Sequence, residues 1–545
     1  MAWKIGGICP DAMLYLRMAE SLDHGDLPGA LEGIRFNPFP VVLMLLHRAG
    51  MPWEMAGAWW GVAISSCTVL PLWGWVRRQF DDRVALAACF LYAVHPGLIR
   101  WSPEILRDPT FWFLFTSSLY LLWRAVTELQ VWLAVAAGGA MALAAMTRIE
   151  GALLLVPLGL WSLGRGWTRP QLRRRLVLGG LLCISVYPLL LGLATRAWFR
   201  SQAPWQLIRT EPLELARDWV RPGNPAAPRP GAERRLVAES PAGAAESGPL
   251  SLARMIEQFV SAAVKGVTPV FLLFAAIGMA GGWRFWRRFD RQVLFAAALP
   301  LLAAIWIHLW WARETCPRYF FPLAILMSPC AAMGLSGLSR WLPALWRNRE
   351  RQFRGKGESQ SFLASPSLAV RTAAAVPAIL VALVGLTVSL GSDCRFRTAT
   401  VELGRWANRE LGPRPLTFGP DGVAQVVNYY AQGRCQSFPP HEADGAVAAR
   451  VKSLRPDLVL LPADRKAPDG GPPLVERIER LGFVEVDRAG FSGGCRKVLV
   501  LRRAAARAQA APLEPPEQGR RAVGQARMPE SHAWMAISHY CGCPR

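Results

Sequence analysis

Residues 55–76 read MAGAWWGVAISSCTVLPLWGWV, 22 residues without a single Asp, Glu, Lys or Arg, closed by Arg77 and Arg78. At 1.5 Å of rise per residue, such a run covers the ~30 Å hydrocarbon core of a bilayer as one helix. A surface helix of a soluble protein would carry a polar face, and this stretch has none. Comparable blocks recur at about 84–100, 110–126, 131–147, 150–165, 176–196, 260–283, 293–312, 319–339 and 373–391. The fold class predicted is therefore an α-helical polytopic membrane protein of about ten spans. Composition agrees, with 52% hydrophobic residues and only 19% charged, against roughly 25% charged in a soluble domain. A disordered or fibrous chain is excluded.

Charge sets the orientation. Lys and Arg number 62 against 39 Asp and Glu, a net +23. Nucleic acid would bind such a balance through its phosphates, but most of the arginines sit in short clusters between apolar blocks, which argues against it. Alternate loops hold Arg77, Arg78 and Arg83; Arg124; Arg165, Arg169 and Arg173 to Arg175; Arg284, Arg287, Arg288 and Arg291; and Arg340 through Arg371. These loops carry 20 positive charges, and the opposite short loops carry five: Arg100, Arg107, Arg148, Arg313 and Arg318. The rich side is expected to be cytoplasmic, in a multi-pass protein of the cell membrane. Residues 1–54 and everything after 392 then face outward. With Asp11 only ten residues from Met1, nothing precedes it to carry the N-terminus across, so we expect the true start upstream and a first span missing.

The expected organisation is a first outer loop over 1–54, a transmembrane core over 55–391, an exported α/β domain over 392–503 and a disordered tail over 504–545. Within the core, the Pro-, Gly- and Ala-rich stretch near 222–250 reads as a flexible outer loop. In the α/β domain, helical stretches (TVELGRWANREL, EADGAVAARVKSL) alternate with strand-like runs (PLTFG, DLVLLP, FVEVD, KVLVLRR). Cys394, Cys435 and Cys495 there are candidates for one disulfide if the domain meets an oxidising compartment.

Charged residues at a membrane face are costly unless solvated, paired or used. Three outer segments contain them. The first holds Asp11 and Tyr15, followed by Asn37-Pro-Phe-Pro40; the second holds Glu104, Arg107 and Asp108; the third holds Arg318 and Tyr319. Arg148 and Glu150, at the turn Met146-Thr-Arg-Ile-Glu-Gly151, add another charged pair on that face. Two carboxylates over one cavity can divide the labour, one deprotonating an acceptor while the other orients it or holds a divalent cation. Arg318 suits bidentate binding of a phosphate oxygen pair, which Lys cannot provide. The plainer readings stay open. Asp108, just before Pro109, suits a helix start, and the arginines suit snorkelling to lipid headgroups. His308 is a core histidine or a pathway residue. Trp59, Trp60, Trp73, Trp75, Trp310 and Trp311 lie near span ends, as an interfacial belt requires.

In this order, Asp11-x-x-x-Tyr15, Asn37-Pro-x-Pro40, His95-Pro-Gly, Ser102-x-Glu104-x-x-Arg107-Asp108, Thr147-Arg148-x-Glu-Gly151 and Pro317-Arg318-Tyr319-x-x-Pro322, ending in a soluble domain, the motifs resemble the GT-C superfamily of polytopic glycosyltransferases. Within it, the protein O-mannosyltransferase and lipid A aminoarabinose transferase-like branch is most similar. The resemblance implies transfer of a sugar from a polyprenyl-phosphate donor to a lipid, glycan or protein acceptor on the non-cytoplasmic side. By it Asp11 matches the acceptor-activating base and Asp108 the acidic residue of the second outer loop. Arg318 and Tyr319 match the donor-phosphate neighbourhood. Glu104 joins the catalytic candidates, and Arg107, Arg148 and Tyr15 the substrate-binding ones. No cofactor is specified. The sequence departs from the branch at Ala12, where many O-mannosyl members have a second acid. Two competing functions remain: a transporter or flippase using the same charged cavity, and a non-catalytic subunit of envelope polysaccharide assembly. Against the transporter, the spans show no inverted-repeat symmetry.

Overall fold

The structure is a computed structural model. It describes residues 8–26, 37–153, 251–281, 289–354 and 395–504. Short breaks fall at 129, 149, 313–314, 413, 421–422, 439–441, 463–472 and 487–497, and isolated positions are described elsewhere. The expected spans 176–196 and 373–391, most of 150–165, the 222–250 loop, the tail, Cys394 and Cys495 lie outside the described residues.

The membrane part runs α1 (Pro10–Asp23), α2 (Pro38–Arg48), α3 (Trp53–Cys67), α4 (Val69–Gln79), α5 (Asp82–Val94), α6 (Pro96–Trp101), α7 (Asp108–Glu128), α8 (Val131–Thr147) and α9 (Glu150–Leu153). It resumes with α10 (Leu252–Val267), α11 (Pro269–Gly281), α12 (Phe289–Ala312), a 3₁₀ turn (Pro317–Phe320) and α13 (Phe321–Arg354). Among the described residues, two helical stretches are long and apolar enough to cross a membrane unaided, Trp53–Gln79 and Pro317–Leu338, of 27 and 22 residues. Those lengths correspond to about 40 and 33 Å. Helices α10 and α11 qualify together, bent by 89° at Thr268, and α8 and the apolar stretch Leu294–Trp310 of α12 are shorter.

Proline explains where the expected spans differ. The 84–100 block is broken at His95, whose backbone is extended (φ −66°, ψ 117°), because Pro96 disfavours helix at the residue before it. The His95 Nδ1 then accepts from the Leu98 N–H and caps α6, while Nε2 meets the Val267 carbonyl at 3.2 Å. That bond ties the α5–α6 break to the bend after α10. The 55–76 block is interrupted at Thr68, three residues before Pro71, which cannot complete a helical bond to Cys67. One belt assignment is corrected: Trp75 is fully buried in the helical core, whereas Trp59 and Trp310 are exposed as a belt requires.

The C-terminal domain continues with α14 (Arg395–Glu410), β1 (Leu416–Pro420), α15 (Val423–Ala431), β2 (Arg434–Phe438), α16 (Asp444–Leu454), β3 (Leu458–Pro462), α17 (Leu474–Glu479), β4 (Phe483–Glu485) and β5 (Val498–Arg503). Its sheet has the order β2-β1-β3-β5-β4. Strand β1 is parallel to β2 and β3, and β5 is antiparallel to β3 and β4. Strand β3 is buried on both faces, as its unbroken LVLLP run requires. Leu458 and Leu460 pack on one side with α14 and α15, and Val459 and Leu461 on the other with α16 and α17.

Candidate active site

Helix α1 begins at Pro10, so Asp11 sits in its first turn, where the free N–H groups favour a carboxylate. Asn37 starts α2 by accepting the Phe39 N–H at 3.0 Å. Phe39 then meets the buried Tyr15 ring edge-on at 5.3 Å, so the Asn-Pro-Phe-Pro motif acts here as a clamp on α1.

The second segment is held by a close approach. A side chain at Gly61 would place its Cβ 2.1 Å from the Ser102 carbonyl oxygen. Bare glycine therefore lets the 102–107 turn lie against α3, with Ile105 over Gly57. Arg107 closes that turn and Asp108 opens α7. The third segment is seated likewise: a Cβ on Gly266 of α10 would stand 2.4 Å from the Pro317 carbonyl oxygen.

These supports bring most of the sequence candidates together. Asp11 and Arg318 form an ion pair at 2.7 Å. Arg148 pairs with the buried Asp108 and, at 2.7 Å, with Glu150. The Tyr319 ring stands between the two arginines, 5.1 Å from the Arg148 guanidinium carbon and 5.6 Å from that of Arg318. Trp101 flanks Arg318 at 5.7 Å and Phe111 flanks Arg148 at 5.8 Å, within cation–π range. His308 packs its ring edge on Tyr319, 5.0 Å away. Burial pushes the Tyr15 phenol up to about 12; Asp11 and Asp108 add to this while Arg107 and Arg318 oppose it. Burial alone would lower the Arg148 pKa, but Asp108 and Glu150 outweigh it and hold the guanidinium above its ordinary value.

Two candidates stand differently. The Nη1 of Arg107 is buried and makes no hydrogen bond, although the charge is close enough to act on Tyr15 and Glu150. Glu104 is half-buried in the turn itself, with its carbonyl facing Gly61. Sequence reasoning missed the supports: Gly61, Gly266 and the two-sided capping role of His95. A small residue four positions after Gly57 on an apolar helix was the one available signal for the first.

The carboxylates Asp11, Asp108 and Glu150 each face a guanidinium, which leaves a poor donor set for a divalent cation. No group of three or more His, Cys, Asp or Glu side chains converges as a metal site among the described residues.

The helical core also has known counterparts. The crystal structure of the Archaeoglobus fulgidus oligosaccharyltransferase in the apo form superimposes with a TM-score of 0.51 at 16% identity, covering 84% of this chain and 66% of that one. ArnT from Cupriavidus metallidurans bound to undecaprenyl phosphate gives 0.51 at 15% identity, covering 92% and 95%. The chain has the GT-C fold. Residues 42–191 also match the family described as dolichyl-phosphate-mannose-protein mannosyltransferase, a segment that holds Glu104, Arg107, Asp108 and Arg148 but neither Asp11 nor Arg318. No curated protein matches the sequence. The chain spans 66% of the oligosaccharyltransferase and nearly all of ArnT.

Proposed function

We propose that this GT-C protein is an integral membrane glycosyltransferase. It moves a sugar from a polyprenyl-phosphate donor to a lipid, glycan or protein acceptor on the non-cytoplasmic face of the cell membrane. The observation that carries the reading is the buried Arg107 Nη1 without a hydrogen bond, beside three arginine–carboxylate pairs at one end of the helices. A buried N–H without an acceptor costs free energy, and a phosphate oxygen would remove that cost. ArnT, which has this fold, is bound to undecaprenyl phosphate, and that supports a polyprenyl-phosphate donor.

Sidedness supports the same reading. Asp108 opens α7 and Arg124 and Glu128 close it, some 30 Å further along the axis. There Arg124 pairs with Glu128 at 2.9 Å and Arg78 joins them. Arg78 and Arg124 on one side and the cluster on the other thus lie at opposite ends of one helix, which supports an outward-facing cluster under the positive-inside rule.

The roles divide by burial. The Asp108 side chain is 5% exposed and locked to Arg148, and the Asp11 side chain is 18% exposed. Asp11 is the carboxylate an acceptor reaches, and Asp108 holds Arg148 in place. Before the donor arrives, Asp11 is held by Arg318. The donor phosphate, seated on Arg107, then draws Arg318 to itself and frees Asp11. The acceptor oxygen attacks the anomeric carbon from the face opposite the phosphate, and Asp11 takes the hydroxyl proton. The bond from the anomeric carbon to the phosphate oxygen breaks with its electron pair on that oxygen, where Arg318 and Arg107 stabilise the growing charge. Configuration inverts and polyprenyl phosphate leaves.

The test is transfer of labelled sugar by purified protein supplied with polyprenyl-phosphate sugars. Wild type should transfer, and Asp11→Asn should fold, bind donor and transfer at least 100-fold more slowly. Full activity in Asp11→Asn would overturn the base assignment.

A further inference from the structure

Among the described residues, helix α15 of the C-terminal domain packs against the membrane part, and that contact reaches the helix that carries Asp11. Helix α15 has two apolar faces at helical spacing. Val423, Ala424, Val427 and Ala431 pack inward on the sheet. Val426, Tyr429 and Tyr430 face the other way and pack against the helical core that includes α1. Val426 is buried at 5% exposure. Tyr429 is close enough to Glu20 and Arg17 of α1, and to Glu54 of α3, for each to act on its phenol. Tyr430 adjoins Glu54 and the Ile8 backbone, three residues before Asp11.

Tyr430 is also fixed from its own domain. The Arg405 guanidinium carbon lies 5.8 Å from its ring centre, and a Cβ on Gly404 of α14 would stand 2.6 Å from the Tyr430 Cβ. Its buried hydroxyl has no partner at full hydrogen-bond geometry, although Glu54 and the Ile8 backbone adjoin it, so the ring carries most of the contact. Glu54 belongs to the same helix whose Gly57 and Gly61 seat the Arg107 turn. One aromatic face therefore meets the start of α1 and the start of α3, the two supports of the base and of the phosphate cation.

We infer that Tyr430, with Tyr429 and Val426, is a positioning residue for Asp11: the C-terminal domain sets the helix that carries the base. The inference rests on the reading above in which Asp11 is that base. A displacement of about 1 Å at a reacting group can cost on the order of 100-fold in rate, so loss of the ring should slow chemistry without weakening the donor site.

The experiment compares wild type, Tyr430→Ala, Tyr430→Phe and Val426→Ala in the full chain, with undecaprenyl phosphate binding counted to give rates per competent site. Tyr430→Ala should lose at least 10-fold in kcat per binding site with donor KM within about two-fold of wild type. Tyr430→Phe should keep at least half the wild-type kcat, and Val426→Ala should fall between them. A kcat per site unchanged in both alanine variants overturns the inference, as does a Phe variant as slow as Ala. Should Tyr430→Ala fail to fold, Val426→Ala and Tyr429→Ala are judged by the same ratio. Absence of transfer by wild type refutes the glycosyltransferase reading instead, so the two failures are told apart.

Discussion

Replacing Arg148 by Met removes the one guanidinium that both Asp108 and Glu150 face. Arg148 is 7% exposed and Asp108 4%, so neither carboxylate regains full hydration when the cation leaves. Breaking a buried pair from one side costs about 3–5 kcal/mol, because the partner charge is left uncompensated. The Tyr319 and Phe111 rings at 5.1 and 5.8 Å lose a cation–π partner as well, about 0.5–2 kcal/mol more. We therefore expect Arg148→Met to lose about 4 kcal/mol, measured by equilibrium unfolding in mixed micelles titrated with SDS. The triple variant Arg148→Met, Asp108→Asn, Glu150→Gln removes the orphaned charges, and well-packed neutral replacements of buried ion pairs are often close to neutral. It should recover at least half of the loss. A single-variant loss under about 1 kcal/mol, or a triple variant no more stable than the single, would refute the claim that the pairs are buried and mutually dependent.

Four further outcomes follow from the geometry. Gly61→Val drives a Cβ toward the Ser102 carbonyl at 2.1 Å; overpacking should cost about 1–3 kcal/mol in the same unfolding assay and lower donor affinity by displacing Arg107. Asn37→Ala removes the cap of α2 and should cost about 1 kcal/mol, with the Tyr15–Phe39 contact loosened. Arg107→Gln should raise donor KM at least 10-fold while leaving unfolding nearly unchanged, since its Nη1 bonds to nothing in the free protein. Burial raises the Glu20 carboxyl above its ordinary value, so its favourable contribution is full below the unfolded value, ~4.3, and is lost as pH rises through the folded one. The melting temperature of Glu20→Gln should therefore gain on wild type as pH climbs from 4 toward neutrality; a constant difference would contradict the assignment.

How much of this was legible in the sequence depends on the range of the interaction. The apolar blocks were readable because lipid imposes a composition on every residue of a span. The β3 and β5 runs were readable because a strand covered on both faces has no polar alternation to hide it. Strand β2 escaped: RCQSF is an edge strand whose burial rises only at Phe438, and its polar residues resemble a loop. Helix α15 escaped too, because VAQVVNYYA spends its apolar residues on two different partners and so shows no single stripe. At the site, the Arg148–Glu150 pair is two residues apart and visible locally. The pairing of Asp11 with Arg318 and of Asp108 with Arg148 is set by which helices pack together. No spacing in the chain encodes that. The His95 break was marked by Pro96, yet the partner carbonyl of Val267 lies 172 residues away.

The most direct measurement of the central claim follows the fate of the donor. The protein is reconstituted in vesicles with a polyprenyl-phosphate sugar labelled in both the sugar and the lipid, together with an extract of envelope acceptors. The account predicts one equivalent of free polyprenyl phosphate for each sugar found on acceptor, and neither product with Asp11→Asn. Labelled donor that crosses the bilayer with its sugar–phosphate bond intact, at equal rates in wild type and Asp11→Asn, would contradict it and make the protein a transporter.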